Sequence, residues 1–220
     1  MKSIKFLLPF VLFLSSLTLQ SCAQNQNQKK KDSQTAVSQQ ELEGLARATV
    51  AGGCFWCVEA IFERVEGVKA AVSGYAGGTE KNPTYEQVSA GRSSHAEAVE
   101  IYYDPSIISY EQILEIFFAT HDPTTLNRQG PDVGMQYRSA VFYRNQQEKE
   151  KIEAHIAALE NARKFKDPIV TQVVPLETFY EAEGYHQDYY ALNPGNPYIQ
   201  SVSRPKVEKF EKEYKQFLKK

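Results

Sequence analysis

Two cysteines stand three residues apart in Gly53-Cys54-Phe55-Trp56-Cys57, and this spacing is the strongest chemical signal in the chain. A strand-to-helix junction is expected around it. Residues 47–52 alternate apolar side chains and close on paired glycines, while Val58, Ile61, Phe62 and Val65 recur at the spacing of one buried helical face. Cys54 would then stand at a helix N-terminus, where backbone N–H groups and the helix dipole favour a thiolate and therefore nucleophilic attack. Other uses of a cysteine pair compete with that one. A structural zinc ion needs two further ligands, and the four histidines, His95, His121, His155 and His186, are scattered. A purely structural disulfide would close a loop too short to constrain the unfolded chain much. Thioredoxin-like exchange is the serious rival, because C-x-x-C after a strand and at a helix start is its signal too.

The elements that must position this motif can be read from periodicity and caps. Gly67 is placed to end the first helix, and residues 68–75 form the next strand. Residues 95–103 set Val99, Ile101 and Tyr103 against Ala98, Glu100 and Tyr102, the period-two pattern of a half-buried strand. Ser109 with Gln112 opens a helix through residue 119. Asn145 with Glu148 opens another through about residue 164, turning Ile152, Ile156 and Leu159 inward and leaving His155 on its surface. Strands are expected at 138–143 and 169–176. A polar, aromatic segment with prolines at Pro194, Pro197 and Pro205 then leads into a Lys/Glu-rich terminal helix. The order implies an α+β fold, a two-layer sandwich resembling a ferredoxin-like plait, with a long coil and a terminal helix.

Length and charge bound what such a domain can meet. A chain of 220 residues with 42 % hydrophobic content builds one ordinary core. A formal charge of −2 with dispersed Lys and Arg lacks the footprint of a nucleic-acid binder. Lys2 and Lys5 precede an apolar run over residues 6–19, too short to span a bilayer and laid out as an export signal. That run ends at Leu19-Gln20-Ser21-Cys22, which resembles a bacterial lipoprotein box, although Gln20 departs from the usual small residue. The expected organisation is a signal peptide over 1–21, lipidated Cys22 opening a polar tether over 22–40, and one domain over 41–220. Removing Lys2 and Lys5 takes the 25 basic residues to 23 against 27 acidic ones, so the mature charge of −4 gives no polybasic grip on anionic lipid. The protein is expected on the periplasmic or cell-surface face of a membrane, held by its lipid, as a monomer.

The residues around the cysteines carry a resemblance. Gly53-Cys54-Phe55-Trp56 together with Gly91-Arg92-Ser93-Ser94-His95-Ala96-Glu97 resembles the A-type peptide methionine sulfoxide reductases. The likeness extends through Tyr75-Ala76-Gly77-Gly78, Asn82-Pro83-Thr84-Tyr85, Thr120-His121-Asp122-Pro123-Thr124, Gln129-Gly130-Pro131-Asp132-Val133-Gly134, Tyr137-Arg138-Ser139 and Tyr185-His186-Gln187. It implies reduction of the S epimer of free or protein-bound methionine sulfoxide, with neither a metal nor a bound organic cofactor. Such a reaction requires a soft nucleophile and an acid for the departing oxygen, and the resemblance assigns these roles to Cys54 and Glu97. It assigns Tyr85 and Tyr137 to the sulfoxide oxygen, Phe55 and Trp56 to the walls around the substrate methyl, and Asp132 to the substrate's vicinity. Glu97 could otherwise be a solvated strand carboxylate, the aromatics core packing, and Asp132 a loop cap. His186 falls in a family-like motif and could contribute to the site rim.

Several relatives of this type carry recycling cysteines near their C-termini, whereas none follows Cys57 here. Cys57 is then the candidate to resolve a Cys54 sulfenic acid as a disulfide, reducible by a thioredoxin-like donor. Direct reduction of Cys54 by an external thiol, with Cys57 simply buried, stays open at this point. A general thiol–disulfide oxidoreductase and an anchored peptide-binding module without chemistry remain the readings from other classes.

Overall fold

A computed structural model of the chain describes residues 43–220, so the expected signal over 1–21, lipidation at Cys22 and the tether over 22–40 lie outside the described residues. The described chain runs β1 (Ala46–Gly52), α1 (Phe55–Phe62), β2 (Val68–Ala76), α2 (Tyr85–Ser89), β3 (Ala96–Tyr103), α3 (Tyr110–Thr120), the ribbon β4 (Arg128–Gln129) and β5 (Asp132–Val133), a 3-10 turn Met135–Tyr137, then β6 (Ser139–Tyr143) and α4 (Gln146–Asn161). It continues through β7 (Gln172–Pro175), β8 (Phe179–Glu181), a 3-10 turn Gly184–His186, α5 (Tyr189–Leu192), a π-helical turn Ile199–Ser203, α6 (Arg204–Glu213) and a last 3-10 turn Lys215–Phe217.

The main sheet has the order β7-β6-β1-β3-β2-β8. Its inner four strands, β6-β1-β3-β2, pair antiparallel throughout. With α1 linking β1 to β2 and α3 lying between β3 and β6, this is the split βαβ arrangement of a ferredoxin-like plait. Strand β7 adds parallel to β6, and β8 adds antiparallel to β2. Ile61 and Phe62 of α1 and Ile113 and Phe117 of α3 cover Val50, Val99, Ile101 and Val141 on one face, forming the main core. On the other face a smaller cluster of Ala51, Ala76, Ala96, Ala98, Ala140 and Phe142 is covered by Val174, Leu176 and Phe179.

Coverage of both faces corrects the expectation of a half-buried strand at 95–103, because every residue of β3 except Tyr102 is buried. The Ser109–Gln112 box closes as expected, and Asn145 accepts the Glu148 backbone N–H. The same signal at Thr84 and Gln87 opens α2, a helix absent from the expectations. Helix α1 ends earlier than expected, at Phe62 with Glu63 as its cap. Gly67, at φ +87°, is not the helix cap; its carbonyl accepts the Asp104 N–H at 2.8 Å and its α-carbon lies against Ile107 and Ile108. Helix α4 stops at Asn161 and strand β7 begins at Gln172, both inside the expected bounds. Along α4 only Ile152 is fully buried, with Ile156 and Leu159 packed partly against the core. His155 is half-buried on the helix surface, its ring centroid 5.3 Å from that of Phe118.

Candidate functional site

Strand β1 delivers the cysteine motif beside β3. The register that pairs Val50 with Val99 brings the end of β1 alongside Glu97, whose β2 partner is Tyr75. Gly53, at φ +92°, makes the turn between strand and helix. A Cβ there would sit 2.5 Å from Gln129 Cγ, so no other residue fits without displacing the β4 ribbon. Cys54 precedes the first helical residue, and Phe55 donates its backbone N–H to Glu97 Oε2 at 3.1 Å. The first-turn donor that a helix leaves unsatisfied is thus used to hold the Glu97 carboxyl at the helix start that bears Cys54.

Cys54 is only 6 % exposed and Glu97 2 %. Burial is the largest influence on Glu97 and pushes its carboxyl up to about 8; the Phe55 N–H opposes this, while the charges of Asp132 and Cys57 add to it. Burial, followed by the hydrogen bond and charge of Cys57 and the charge of Glu97, pushes the Cys54 thiol well above its ordinary value. The helix start is present as expected, and desolvation of the buried thiol opposes the thiolate there.

Tyr85, the first residue of α2, and Tyr137, the last of the 3-10 turn, converge on this pair. Burial comes first among the causes that raise both phenols, Tyr85 to about 12, and the charges of Glu97 and Cys54 act on both. Among the described residues neither hydroxyl has a hydrogen-bond partner, so each remains a free donor at neutral pH. Phe55 is buried between Trp56, Tyr75 and His186, with ring centroids 5.0–6.2 Å apart. Trp56 stacks on Tyr189 at 3.8 Å and donates its indole N–H to His186 Nδ1 at 3.1 Å. Asp132 caps no loop; its Oδ2 accepts the Tyr198 hydroxyl at 2.6 Å.

All the chemistry-bearing residues named from the sequence within the domain, Cys54, Cys57, Phe55, Trp56, Tyr85, Glu97, Asp132 and Tyr137, therefore fall in one neighbourhood. His186 is placed differently from expectation. It is buried rather than at a rim, burial lowers its pKa to about 4, and the neutral ring accepts from Trp56. His121 is likewise neutral and structural, bridging the Phe117 carbonyl and Ser139 at 2.7 Å each. Sequence reasoning missed Tyr198, which meets Trp56 edge-on, and Glu183, which accepts from the Tyr75 hydroxyl and the Tyr85 N–H. It also missed Ser203, whose Oγ accepts the Cys57 thiol at 3.1 Å. No group of three or more His, Cys, Asp or Glu side chains among the described residues is arranged to hold a metal ion.

Comparison with known proteins agrees with this geometry. The family model described as peptide methionine sulfoxide reductase matches residues 46–218. A protein of Rhodopirellula baltica named peptide methionine sulfoxide reductase MsrA 1 is 54 % identical over 167 residues, 76 % of this chain and 86 % of its own. One of Natronomonas pharaonis, named peptide methionine sulfoxide reductase MsrA, is 52 % identical over 163 residues, 74 % of this chain and 92 % of its own. The solved structure of methionine sulfoxide reductase A of Corynebacterium diphtheriae superposes with a TM-score of 0.62 at 34 % identity, covering 70 % of this chain and 77 % of that one.

Proposed function

The chain belongs to the peptide methionine sulfoxide reductase family, a thiol-dependent oxidoreductase that reduces methionine sulfoxide to methionine, and from that premise we propose how its residues divide the work. Cys54 attacks the sulfoxide sulfur. Glu97, protonated at neutral pH, gives its proton to the sulfoxide oxygen and recovers one from the Cys54 thiol. The sulfoxide and the Cys54 thiol become the thioether and a Cys54 sulfenic acid: the oxygen passes from one sulfur to the other, and the sulfoxide sulfur gains the two electrons that Cys54 loses. Tyr85 and Tyr137 donate hydrogen bonds to the oxygen as charge develops on it. Phe55 and Trp56 enclose the methyl group, and Asp132 with Tyr198 borders the rest of the substrate. The observation that carries this reading is the buried Glu97 carboxyl, raised to about 8 and held at the helix start that bears Cys54.

The finer assignments belong to the same reading: the S epimer as substrate, Cys57 as the resolving thiol, and a thioredoxin-like dithiol as final reductant. The purified full chain with dithiothreitol should consume one epimer of a methionine sulfoxide peptide and leave the other. Reduction of insulin disulfides without sulfoxide turnover would instead mark a general thiol–disulfide oxidoreductase, and peptide binding without turnover a binding module.

We also propose export through residues 1–21 and anchoring through a lipidated Cys22, since two acyl chains suffice for stable attachment. Cell fractionation should find the protein with membranes and the Cys22→Ser variant in the aqueous fraction. A wild-type protein already in the aqueous fraction would contradict the anchor.

A further inference from the structure

Cys57 occupies the third position of α1 and is 3 % exposed. Its thiol donates to the hydroxyl of Ser203, which is fully buried and 146 residues away in sequence. Ser203 is an unusual residue to find there. It closes the π-helical turn Ile199–Ser203 and directly precedes α6, the place where a serine ordinarily caps its own helix. It does not do so. Its φ of −74° and ψ of −47° are already helical, its side chain makes no capping bond, and Pro205 at the second helical position offers no N–H. The irregular turn leaves the hydroxyl with Cys57 as its partner. Three residues further along α6, the ammonium of Lys206 acts favourably on the Cys57 thiolate.

We propose that Ser203 is a positioning residue for the recycling step, its hydroxyl holding Cys57 in place to close on oxidised Cys54. The inference rests on the reading of Cys57 as the resolving thiol. A serine hydroxyl can accept from a thiol and, by rotating, donate to a thiolate, so one contact serves both states of Cys57. In the step itself the Cys57 thiolate forms an S–S bond to the sulfur of the Cys54 sulfenic acid, and the S–O bond breaks. The departing hydroxide takes up the proton that Cys57 released and leaves as water. One sulfur is formally oxidised and the other reduced, so no further reductant enters until the disulfide is opened by an external dithiol.

The other groups facing Cys57 oppose or share its charge. Cys54, at the N-cap of α1, is the largest influence favouring the Cys57 thiolate, while Asp132 on β5 disfavours it. Glu97 on β3 and Tyr198 in the C-terminal coil interact electrostatically with it. Once Cys54 is a sulfenic acid its thiol is gone, and the Ser203 hydroxyl remains in contact with Cys57. The thiolate fraction at the moment of closure should therefore depend on it.

The experiment mixes the reduced full chain with one equivalent of a methionine sulfoxide peptide and follows, by rapid quench and intact mass, the loss of two hydrogens. Ser203→Ala should slow disulfide closure relative to the first reductive step by about tenfold, the effect of one pKa unit on a thiolate fraction. It should also move the pH inflection of closure upward. Ser203→Thr, which keeps the hydroxyl, should restore rate and inflection. Closure at the wild-type rate with an unshifted inflection in Ser203→Ala would overturn the inference while leaving Cys57 as the resolving thiol. A wild-type chain that turns over substrate yet never loses the two hydrogens would overturn the Cys57 reading itself.

Discussion

The two cysteines at the start of α1, one at its N-cap and one in its first turn, live in different surroundings. Cys54 faces the sheet, where burial, then Cys57 and then the Glu97 carboxyl push its thiol up, and where the phenols of Tyr85 and Tyr137 wait as free donors. Cys57 faces the C-terminal coil, where its thiol donates to Ser203, and its charged form is favoured first by Cys54 and less by Lys206 and Ser203. Burial alone does not explain the contrast, since both are nearly inaccessible. Each cysteine is the leading polar influence on the other, and the groups around them differ. In the proposed reading the Cys54 side stores the proton that a departing oxygen needs, and the Cys57 side supplies the nucleophile that closes the disulfide.

Glu97→Gln cuts deepest into the substrate side. The glutamine can still accept the Phe55 N–H but cannot supply a proton, so single-turnover reduction should slow by about 10²–10⁴. The wild-type contribution of the acid should disappear as pH rises through about 8, where Glu97 ionises, and that descending limb should be missing in the variant. A variant as fast as wild type would return Glu97 to a structural role. Cys57→Ser probes the other side. Its first turnover should stay close to wild type, while steady-state turnover with a thioredoxin-like reductant should fall at least about tenfold, because an adjacent thiol competes at a far higher effective concentration than a dissolved one. A small monothiol should rescue it. Tyr85→Phe and Tyr137→Phe should each cost about tenfold or less in the first turnover, the worth of one hydrogen bond while the other phenol remains.

The smallest effect concerns stability rather than rate. Glu59, on the same helix, is raised to about 9 by burial and by the charge of Glu63, and neither of its oxygens has a partner among the described residues. Unfolded it would ionise near 4.5, so between these values the folded state holds a proton that the unfolded state has lost. The stabilisation this gives is complete below about 4.5 and is lost as pH rises through about 9. Thermal melts should therefore decline less steeply from pH 6 to 9.5 in Glu59→Gln than in the wild type, with the remaining slope carried by Glu97 and Glu63. Parallel slopes would mean that Glu59 does not titrate in this way.

The contrast between the cysteines also marks what could be read from sequence. The plait was legible because periodicity and caps are local: Val58, Ile61 and Phe62 announce α1, and Ser109 with Gln112 announces α3. The substrate side was legible because Cys54, Glu97, Tyr85 and Tyr137 sit in motifs with distinctive neighbours. The burial that raises the Cys54 thiol is a tertiary property that no motif displays. The recycling side was illegible for the same reason. Ser203 touches Cys57 only because the C-terminal coil returns across α1, and a serine before Arg204-Pro205 reads locally as a helix cap. Glu183 and Tyr198 were missed in the same segment. A polar residue destined for burial carries no period of its own.

Intact-mass analysis of the full chain after one equivalent of methionine sulfoxide peptide tests the division of labour most directly. The account predicts that the wild type loses two hydrogens as Cys54 and Cys57 join, and that Cys57→Ser instead retains one added oxygen on Cys54. A wild type that accumulates the oxygen adduct and never forms the disulfide would contradict it, leaving the two faces of α1 without the separate roles assigned to them.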